Sequence, residues 1–338
     1  MFDDGNEDVS WNGVWDVATR VDSLGWTAEF SIPMSQLRYA SRERHTFGFG
    51  VWRDIERYAE RVSWPVYVVT ENGLSSQLGT LVGLEGISDA RRLEVTPYAV
   101  TKNVQLSPAQ GVFEREQQFS VGADLKLGLT PNVTLDATVN PDFGQVEVDP
   151  AVVNLSAFEV FFDERRPFFT EGAQLFNVGN LFYSRRIGAS PHGDTDADYA
   201  ESLDNTTILG AAKLTGRLPS GLSIGVLGAV TEEEQVSTYS ADTDAFGEVV
   251  VEPLTGYGVM RMDQQFGASG SNIGFIVTGV RRDLSGNPGL ASILAESALG
   301  GAIDGRYRWA GGEYDVNFRL QGTHILGSEA AILRQQTT

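Results

Sequence analysis

The sequence contains no cysteine, so neither a disulfide framework nor a thiolate metal site is available. Its three histidines, His45, His192 and His324, lie far apart and lack the spacing of zinc ligands. Basic residues are outnumbered, with 25 Lys and Arg against 45 Asp and Glu, which gives a formal net charge of −20. Because phosphate binding needs a basic surface, this charge argues against nucleic acid as a partner.

Long apolar runs are also missing, because no stretch approaches the roughly 20 residues of a membrane-spanning helix. The N-terminus, MFDDGNEDVSWNG, is acidic, whereas a secretory signal peptide begins with basic residues and continues into an apolar centre. We therefore expect that no signal peptide is present in this chain. Glycine is abundant, at 38 residues, and helix-type periodicity is scarce, which together predict a β-protein.

The stretch FSVGADLKLGLTPNVTLDATVN, residues 119–140, alternates apolar and polar side chains and is interrupted only at Thr130-Pro131-Asn132. This pattern predicts two antiparallel strands joined by a tight turn. Similar hairpins are predicted around the short turns at 218–221, 266–271 and 310–312. Long polar connections separate the hairpins, at 102–116, 188–206, 232–253 and 283–298. Strands of about ten residues, with short turns alternating with long loops, are typical of an outer-membrane β-barrel.

The direction in which each strand face points follows from the phase of this alternation. The alternation of apolar and polar side chains also suits a soluble β-sandwich. The regular alternation of short turns with long loops is the feature that favours the barrel. We expect Lys126 and Asp136 to face the barrel interior, and Leu125 and Leu135 to face lipid. Because short turns of such barrels face the periplasm, the strand that begins near Leu93 must rise from that side. The residues that precede it are therefore predicted to be periplasmic.

Residues 1–88 differ from the rest, because short strand patterns such as GWTAEFSIP suit part of a β-sandwich. In this region Trp26 alternates with apolar neighbours and is predicted to be a core residue, whereas Trp15 and Trp52 are candidates for stacking on sugar rings. The expected fold is therefore all-β: the C-terminal part of a β-sandwich module over 1–88, then an incomplete antiparallel outer-membrane-type barrel over 89–338. Residues 141–180 form an irregular segment within the second part.

The run LKLGLTPNVTLDATVNPDFGQVEVDPAVVNLSAFEVFFDERRPFFTEGAQLF, followed by LFYSRRIG, resembles the bacterial domain-of-unknown-function family 5916. The resemblance extends upstream through GWTAEFSIPMSQLRY and LGTLVGLEGI. It implies an N-terminal domain similar to a family 9 carbohydrate-binding module, joined to an outer-membrane barrel. Members of the family are considerably longer, so the resemblance also implies that this chain is a fragment truncated at both ends.

Charged residues are densest in NPDFGQVEVDP and FDERRPFFTEG. We predict ion or substrate contact in the barrel lumen for Asp142, Glu147, Asp149, Arg165, Arg166 and Glu171, and for Arg185 and Arg186 of SRRIG. Paired carboxylates could act as general acid and base in glycoside hydrolysis, or hold calcium. The structural alternative is a charge network that pins the segment inside a polar lumen. SRRIG is expected at the end of a strand, where only one of its two arginines can face the lumen.

These observations predict a non-catalytic protein of the bacterial outer membrane, whose carbohydrate-binding-type domain serves glycan binding or uptake. The expected partners are outer-membrane lipid and a polysaccharide or oligosaccharide. No cofactor is predicted, because no motif specific for a metal, calcium included, is visible, and the metal content is left open. Two alternatives stand beside this reading: a glycan hydrolase that uses the acidic residues of 141–171, and a purely structural barrel.

Overall fold

The computed structural model describes residues 15–37, 39, 42–69, 73–87, 93–103, 117–141, 161–201, 203–267 and 269–337. The chain divides into two compact units, 1–92 and 93–338. Most of the regular structure is strand, and all the strand pairs are antiparallel, which confirms the predicted all-β class. Over the described ranges, no helix has both the length and the apolar character needed to cross a membrane.

The first unit consists of paired strands. β1 (Asp16–Asp22) pairs with β2 (Gly25–Ser31), β3 (Arg44–Phe49) pairs with β6 (Gly79–Glu85), and β4 (Val51–Ile55) pairs with β5 (Glu60–Trp64). The prediction that Trp26 is a core residue is wrong, because its side chain is 58% exposed. Among the described strands β2 pairs with β1 alone, and the Trp26 ring lies beneath the Arg53 guanidinium, 5.3 Å from its ring centroid.

The second unit is built on one nine-stranded antiparallel sheet. In order across the sheet, its strands are β7 (Leu93–Asn103), β8 (Gln117–Thr130), β9 (Val133–Val139), β11 (Ile208–Arg217), β12 (Leu222–Thr231), β15 (Thr255–Phe266), β16 (Ser271–Arg282), β17 (Ser297–Trp309) and β18 (Tyr314–Leu326). A separate small sheet contains β10 (Tyr199–Ala200), β13 (Glu234–Ser240) and β14 (Ala245–Glu252). The four short turns of the large sheet lie at one end, and its long connections lie at the other.

Residues 161–189, here named the covering segment, pack on one face of this sheet. The segment contains the short helix α1 (Pro167–Thr170) and a 3₁₀ turn at Ser184–Arg186. The expectation that SRRIG ends a strand is therefore wrong, and the strand argument about its two arginines does not apply. Because β9 and β11 are antiparallel neighbours, the end of β9 and the start of β11 lie at the same end of the sheet, and the chain between them does not have to cross to the other end.

Two other sequence expectations are corrected in the long connections. Residues 232–253, predicted to be a polar loop, contain the hairpin of β13 and β14, in which Val236 and Thr238 are buried and alternate with more exposed neighbours. The connection at 283–298 contains the helix α2 (Pro288–Ile293), and a further helix, α3 (Glu329–Thr337), follows β18. The strands of this hairpin and α2 are short, and apolar periodicity over so few residues does not distinguish such elements from loops.

The two faces of the large sheet differ in composition, and the buried face is the one that holds the charged side chains, mixed with apolar ones. Thr134, Asp136 and Thr138 of β9 are buried beneath the covering segment, whereas Val139 on the opposite face is 63% exposed. We call the face beneath the covering segment the covered face, and the opposite face, which carries Val139, the bare face. One row of cross-strand neighbours on the bare face is apolar across all nine strands: Leu93, Leu127, Leu135, Leu214, Val226, Met260, Val277, Gly301 and Gly322.

The covering segment is held partly by apolar packing. Its buried apolar side chains are Phe169, Phe176, Val178 and Ile187. They pack against a set of apolar residues of the covered face: Ile208, Ala211, Leu227, Ala229, Val259, Ile276 and Ala302. Burying a side chain of the size of phenylalanine or isoleucine contributes roughly 1.5–3 kcal/mol. Gly225 makes room for this packing, because a Cβ at that position would lie 2.9 Å from the Phe176 ring.

Candidate functional site

A row of alternating charges crosses the covered face at the same level as the apolar row of the bare face. Strand register places Glu94 opposite Lys126, Lys126 opposite Asp136, and Asp136 opposite Lys213. Opposite charges on directly opposed strand positions attract each other, whereas like charges there would be destabilising. The sequence phase placed Lys126 and Asp136 on one face, and the register adds Glu94 and Lys213 as their neighbours.

Lys213 joins this charge row to the covering segment. Its side chain is 1% exposed, and its ammonium donates hydrogen bonds to the backbone carbonyls of Phe168 and, at 2.7 Å, Glu171. The Asp136 carboxylate lies 3.9 Å from the same nitrogen. The Glu171 carboxylate forms an ion pair with Lys126. Buried charges are tolerated when they are paired and hydrogen-bonded, and Lys213 meets that requirement through its two carbonyl acceptors and the neighbouring carboxylate.

A second charge cluster lies within the covering segment and ties its two ends together. The Arg166 guanidinium donates to both oxygens of the Glu164 carboxylate, at 2.8 and 2.7 Å. It also donates to the carbonyls of Ile187, at 2.6 Å, and Ser184, at 2.8 Å. The Ser184 hydroxyl donates to Glu164 at 2.5 Å. The motifs DERRPFF and YSRRIG are therefore joined through one buried arginine.

Hydrogen bonding keeps Glu164 ionised. Burial acts to raise the pKa of the Glu164 carboxyl, but the hydrogen bonds and the charge of Arg166, with the Ser184 hydroxyl, outweigh it and hold that pKa below its ordinary value of 4.5. Because the pKa is lower in the folded state, the stability that Glu164 contributes is complete above about 4.5 and is lost as the pH falls through the folded value.

We expect Glu164→Gln to remove this part of the acid sensitivity. The free energy of unfolding of the native chain should fall more steeply below about pH 4.5 than that of the variant, because only the native chain must protonate this carboxylate. Urea titrations at a series of pH values measure the difference, and taking it between two chains cancels the titration of the other carboxylates. Parallel pH profiles for the two chains would contradict the assignment.

A third charge cluster lies on the covered face of β15 and β17. Arg261 pairs with Asp304, and its Nη2 also donates to Asp263 at 3.0 Å. Asn272 donates to the same Asp263 carboxylate at 2.7 Å. Arg261 and Asp304 are not among the residues that the sequence predicted as partners. The register that pairs these strands through β16 brings them together, and their shared alternation phase was the only signal in the sequence.

The predicted site residues are only partly brought together. Asp142, Glu147 and Asp149 lie outside the described residues. Arg165, Arg166 and Glu171 lie in the first half of the covering segment, where Arg165 is exposed. Arg185 and Arg186 lie in its second half, and Arg185 donates to the Asp163 carbonyl at 3.0 Å.

The two tryptophans proposed for sugar stacking are both partly exposed. Trp15 is 43% exposed, and its ring centroid lies 5.5 Å from that of Phe30. Trp52 lies on β4 and is 39% exposed. Over the described ranges, no group of three or more histidine and carboxylate side chains could hold a metal ion.

The chain was compared with protein families, curated proteins and solved structures. No curated protein and no solved structure matches it. The model of one family, described as Domain of unknown function (DUF5916), matches residues 90–293. This range is more than half of the chain, and it holds the charge row, the covering segment and seven complete strands of the large sheet. The chain therefore belongs to the DUF5916 family.

Proposed function

We propose that the nine-stranded sheet is the lipid-facing wall of an outer-membrane-type β-barrel in a non-catalytic envelope protein. In this proposal the covering segment lies on the interior side of the wall. The observation that carries the proposal is the burial pattern of the sheet: the face that holds the charged side chains is buried together with several apolar ones, and a nearly uncharged face that carries large apolar side chains is exposed.

A soluble antiparallel sheet buries its apolar face and leaves its polar face in water. Here a nearly uncharged face is left exposed, and its large apolar side chains continue to β18, where Leu320 is 74% exposed. A contiguous apolar surface spanning nine strands is far larger than the few hundred Å² that soluble proteins leave exposed. Lipid supplies the apolar surroundings that this face needs.

Strand length and turn position agree with this proposal. Most strands of the large sheet have ten or more residues, and about 9–11 are enough to cross a bilayer when tilted. Short turns at one end and long connections at the other match the periplasmic and outer ends of such barrels. Beside one short turn the rings of Tyr307, Trp309 and Tyr314 stack in sequence on the bare face, as in an interfacial aromatic girdle.

Single nitroxide labels test which face meets lipid. The chain has no native cysteine, so Val277→Cys and Thr278→Cys each give one labelling site on adjacent, opposite-facing positions of β16. In lipid vesicles we expect the label at 277 to be more accessible to oxygen, which partitions into lipid. The label at 278 should be relatively more accessible to a water-soluble nickel chelate.

A second pair of labels, on Leu214→Cys and Thr215→Cys of β11, repeats the test three strands away in a region where the covering segment packs. The same difference between neighbouring positions is expected there. Labels with equal oxygen accessibility on both faces, in protein that sediments with the vesicles, would rule out a lipid-facing wall.

For the first unit we propose a carbohydrate-binding-type role in glycan binding or uptake. The partial exposure of Trp15 and Trp52 supports this role, because it leaves their rings accessible to a sugar. The position of the short turns supports a periplasmic location for this unit. Native electrophoresis in gels containing a polysaccharide should show retardation of the chain, and Trp52→Ala should reduce it, with Val51→Ala on the same strand as control.

Release of reducing ends from the polysaccharide would favour the hydrolase alternative instead. A chain that shows neither effect with any polysaccharide would favour a purely structural barrel.

A further inference from the structure

Basic residues are almost absent from the bare face, and the two that occur there lie close together. Among the described strand residues of this face there is no Asp, Glu or Lys, and Arg281 and His324 are its basic residues. Arg281 is the second-to-last residue of β16 and is exposed. Both residues lie near the end of the sheet that carries the long connections.

Arg281 and His324 line the same groove, whose volume is about 450 Å³. Its floor is made by Gly256, Gly258 and Gly279, and its remaining lining includes Leu299 and Leu326. The absence of side chains on adjacent strands creates the groove, since a Cβ at Gly258 would meet no atom within 4 Å.

A second cavity of about 800 Å³ adjoins the groove and shares Gly256 and Arg281 with it. Its lining adds the apolar residues Val230, Leu254 and Leu284. It also contains Arg282, Asp283 and Glu296, so it carries no net positive charge. Arg281 is therefore the group that gives the groove its charge, at the point where the two cavities meet.

The groove suits one kind of occupant. Its apolar walls lie within a face that we propose to contact lipid, so an acyl chain is the group available to fill it. Arginine binds phosphate oxygens through a planar fork of N–H donors. A strand end at the membrane boundary places Arg281 at the level of lipid headgroups. These features specify a ligand with an acyl chain and an anionic headgroup at adjacent positions.

We propose that the groove across β15 to β18 binds a phosphate-bearing lipid, with its acyl chain along the glycine floor and its phosphate on Arg281. This inference rests on the proposed function, because it needs the bare face to contact lipid. It goes further by naming a specific site and ligand class. An arginine that reached the headgroup layer without a groove beside it would also attract anionic lipid weakly. That attraction would not depend on the shape of the groove, whereas binding at the proposed site does.

Native mass spectrometry of the chain in detergent micelles can compare two lipids that share acyl chains. We expect dioleoyl phosphatidylglycerol to bind about fivefold more tightly than dioleoyl phosphatidylcholine, since one arginine near a membrane surface contributes about that factor. Arg281→Gln should abolish the preference and Arg281→Lys should retain most of it. Monophosphoryl lipid A is the third probe, and stronger retention of it would identify lipopolysaccharide rather than phospholipid as the source of the phosphate.

Matched glycine variants test the shape of the site. Gly258→Leu fills the groove, whereas Gly322→Leu adds the same side chain to the bare face outside it, and neither Cβ meets an atom within 4 Å. Only Gly258→Leu should weaken retention of both lipids, and excess inorganic phosphate should not displace them. A preference unchanged in Arg281→Gln, or equal effects of the two leucines, would overturn the site. Failure of the native chain to bind any lipid would instead count against the proposed function.

Discussion

Replacing Arg166 by methionine is expected to lower the free energy of unfolding by about 3–5 kcal/mol, the range for breaking a buried ion pair from one side. Arg166 is 8% exposed and neutralises Glu164, while it also satisfies the carbonyls of Ile187 and Ser184. The variant leaves the Glu164 charge buried and both carbonyls without this donor. In the native chain the Arg166 guanidinium also lies over the Phe169 ring, 4.3 Å from the centroid, so the variant loses some packing as well.

Urea titration followed by circular dichroism of the strand signal measures the effect, in the same detergent for every chain. Arg165→Met is the matched control, because that neighbouring side chain is exposed and its removal should cost less than about 1 kcal/mol. The double variant Arg166→Met with Glu164→Leu should recover much of the loss, since replacing both partners by apolar groups is often neutral. Equal stabilities of the two methionine variants would show that the Arg166 cluster does not hold the covering segment.

The parts of this structure that could be predicted from sequence are those set by local pattern. Strict alternation over 119–140 gave β8, β9 and the turn between them, because side-chain direction in a strand depends only on parity. Parity also placed Lys126 and Asp136 on one face. It could not identify Lys213 as a partner of Asp136, because that contact depends on how β9 pairs with a strand about seventy residues later.

The covering segment shows a different limit. LFYSRRIG reads as the end of a strand by local pattern, but the contacts of Arg166 with the carbonyls of Ser184 and Ile187 accompany a 3₁₀ turn. Tertiary contacts of this kind override local preference, and nothing within the eight residues reveals them. The motif stands out in the sequence by its density of charge, whereas its internal pairing depends on which carboxylate reaches the buried arginine. Glu164, two residues from Arg166, makes that contact.

Lys213→Met is expected to release the covering segment from the sheet, because Lys213 is the buried cation that binds two of its backbone carbonyls. Removing it leaves the buried Asp136 carboxylate without this cation and both carbonyls without this donor. A cost of 3–5 kcal/mol that falls on local opening would raise the open population by about 100-fold or more. Thiol labelling at Val178→Cys, a buried position of the segment in a chain with no other cysteine, reports that opening.

Arg261→Met is the control that separates release of the segment from general loss of stability. Arg261 is also buried and paired, with Asp304 and Asp263, but these partners belong to the sheet itself. It should therefore lower global stability while accelerating labelling at 178 much less than Lys213→Met does. If both variants accelerate labelling equally, the segment opens only when the sheet unfolds. A selective effect of Lys213→Met would instead show that the covering segment moves independently of the sheet, as a plug would have to do if the proposed barrel admits solutes.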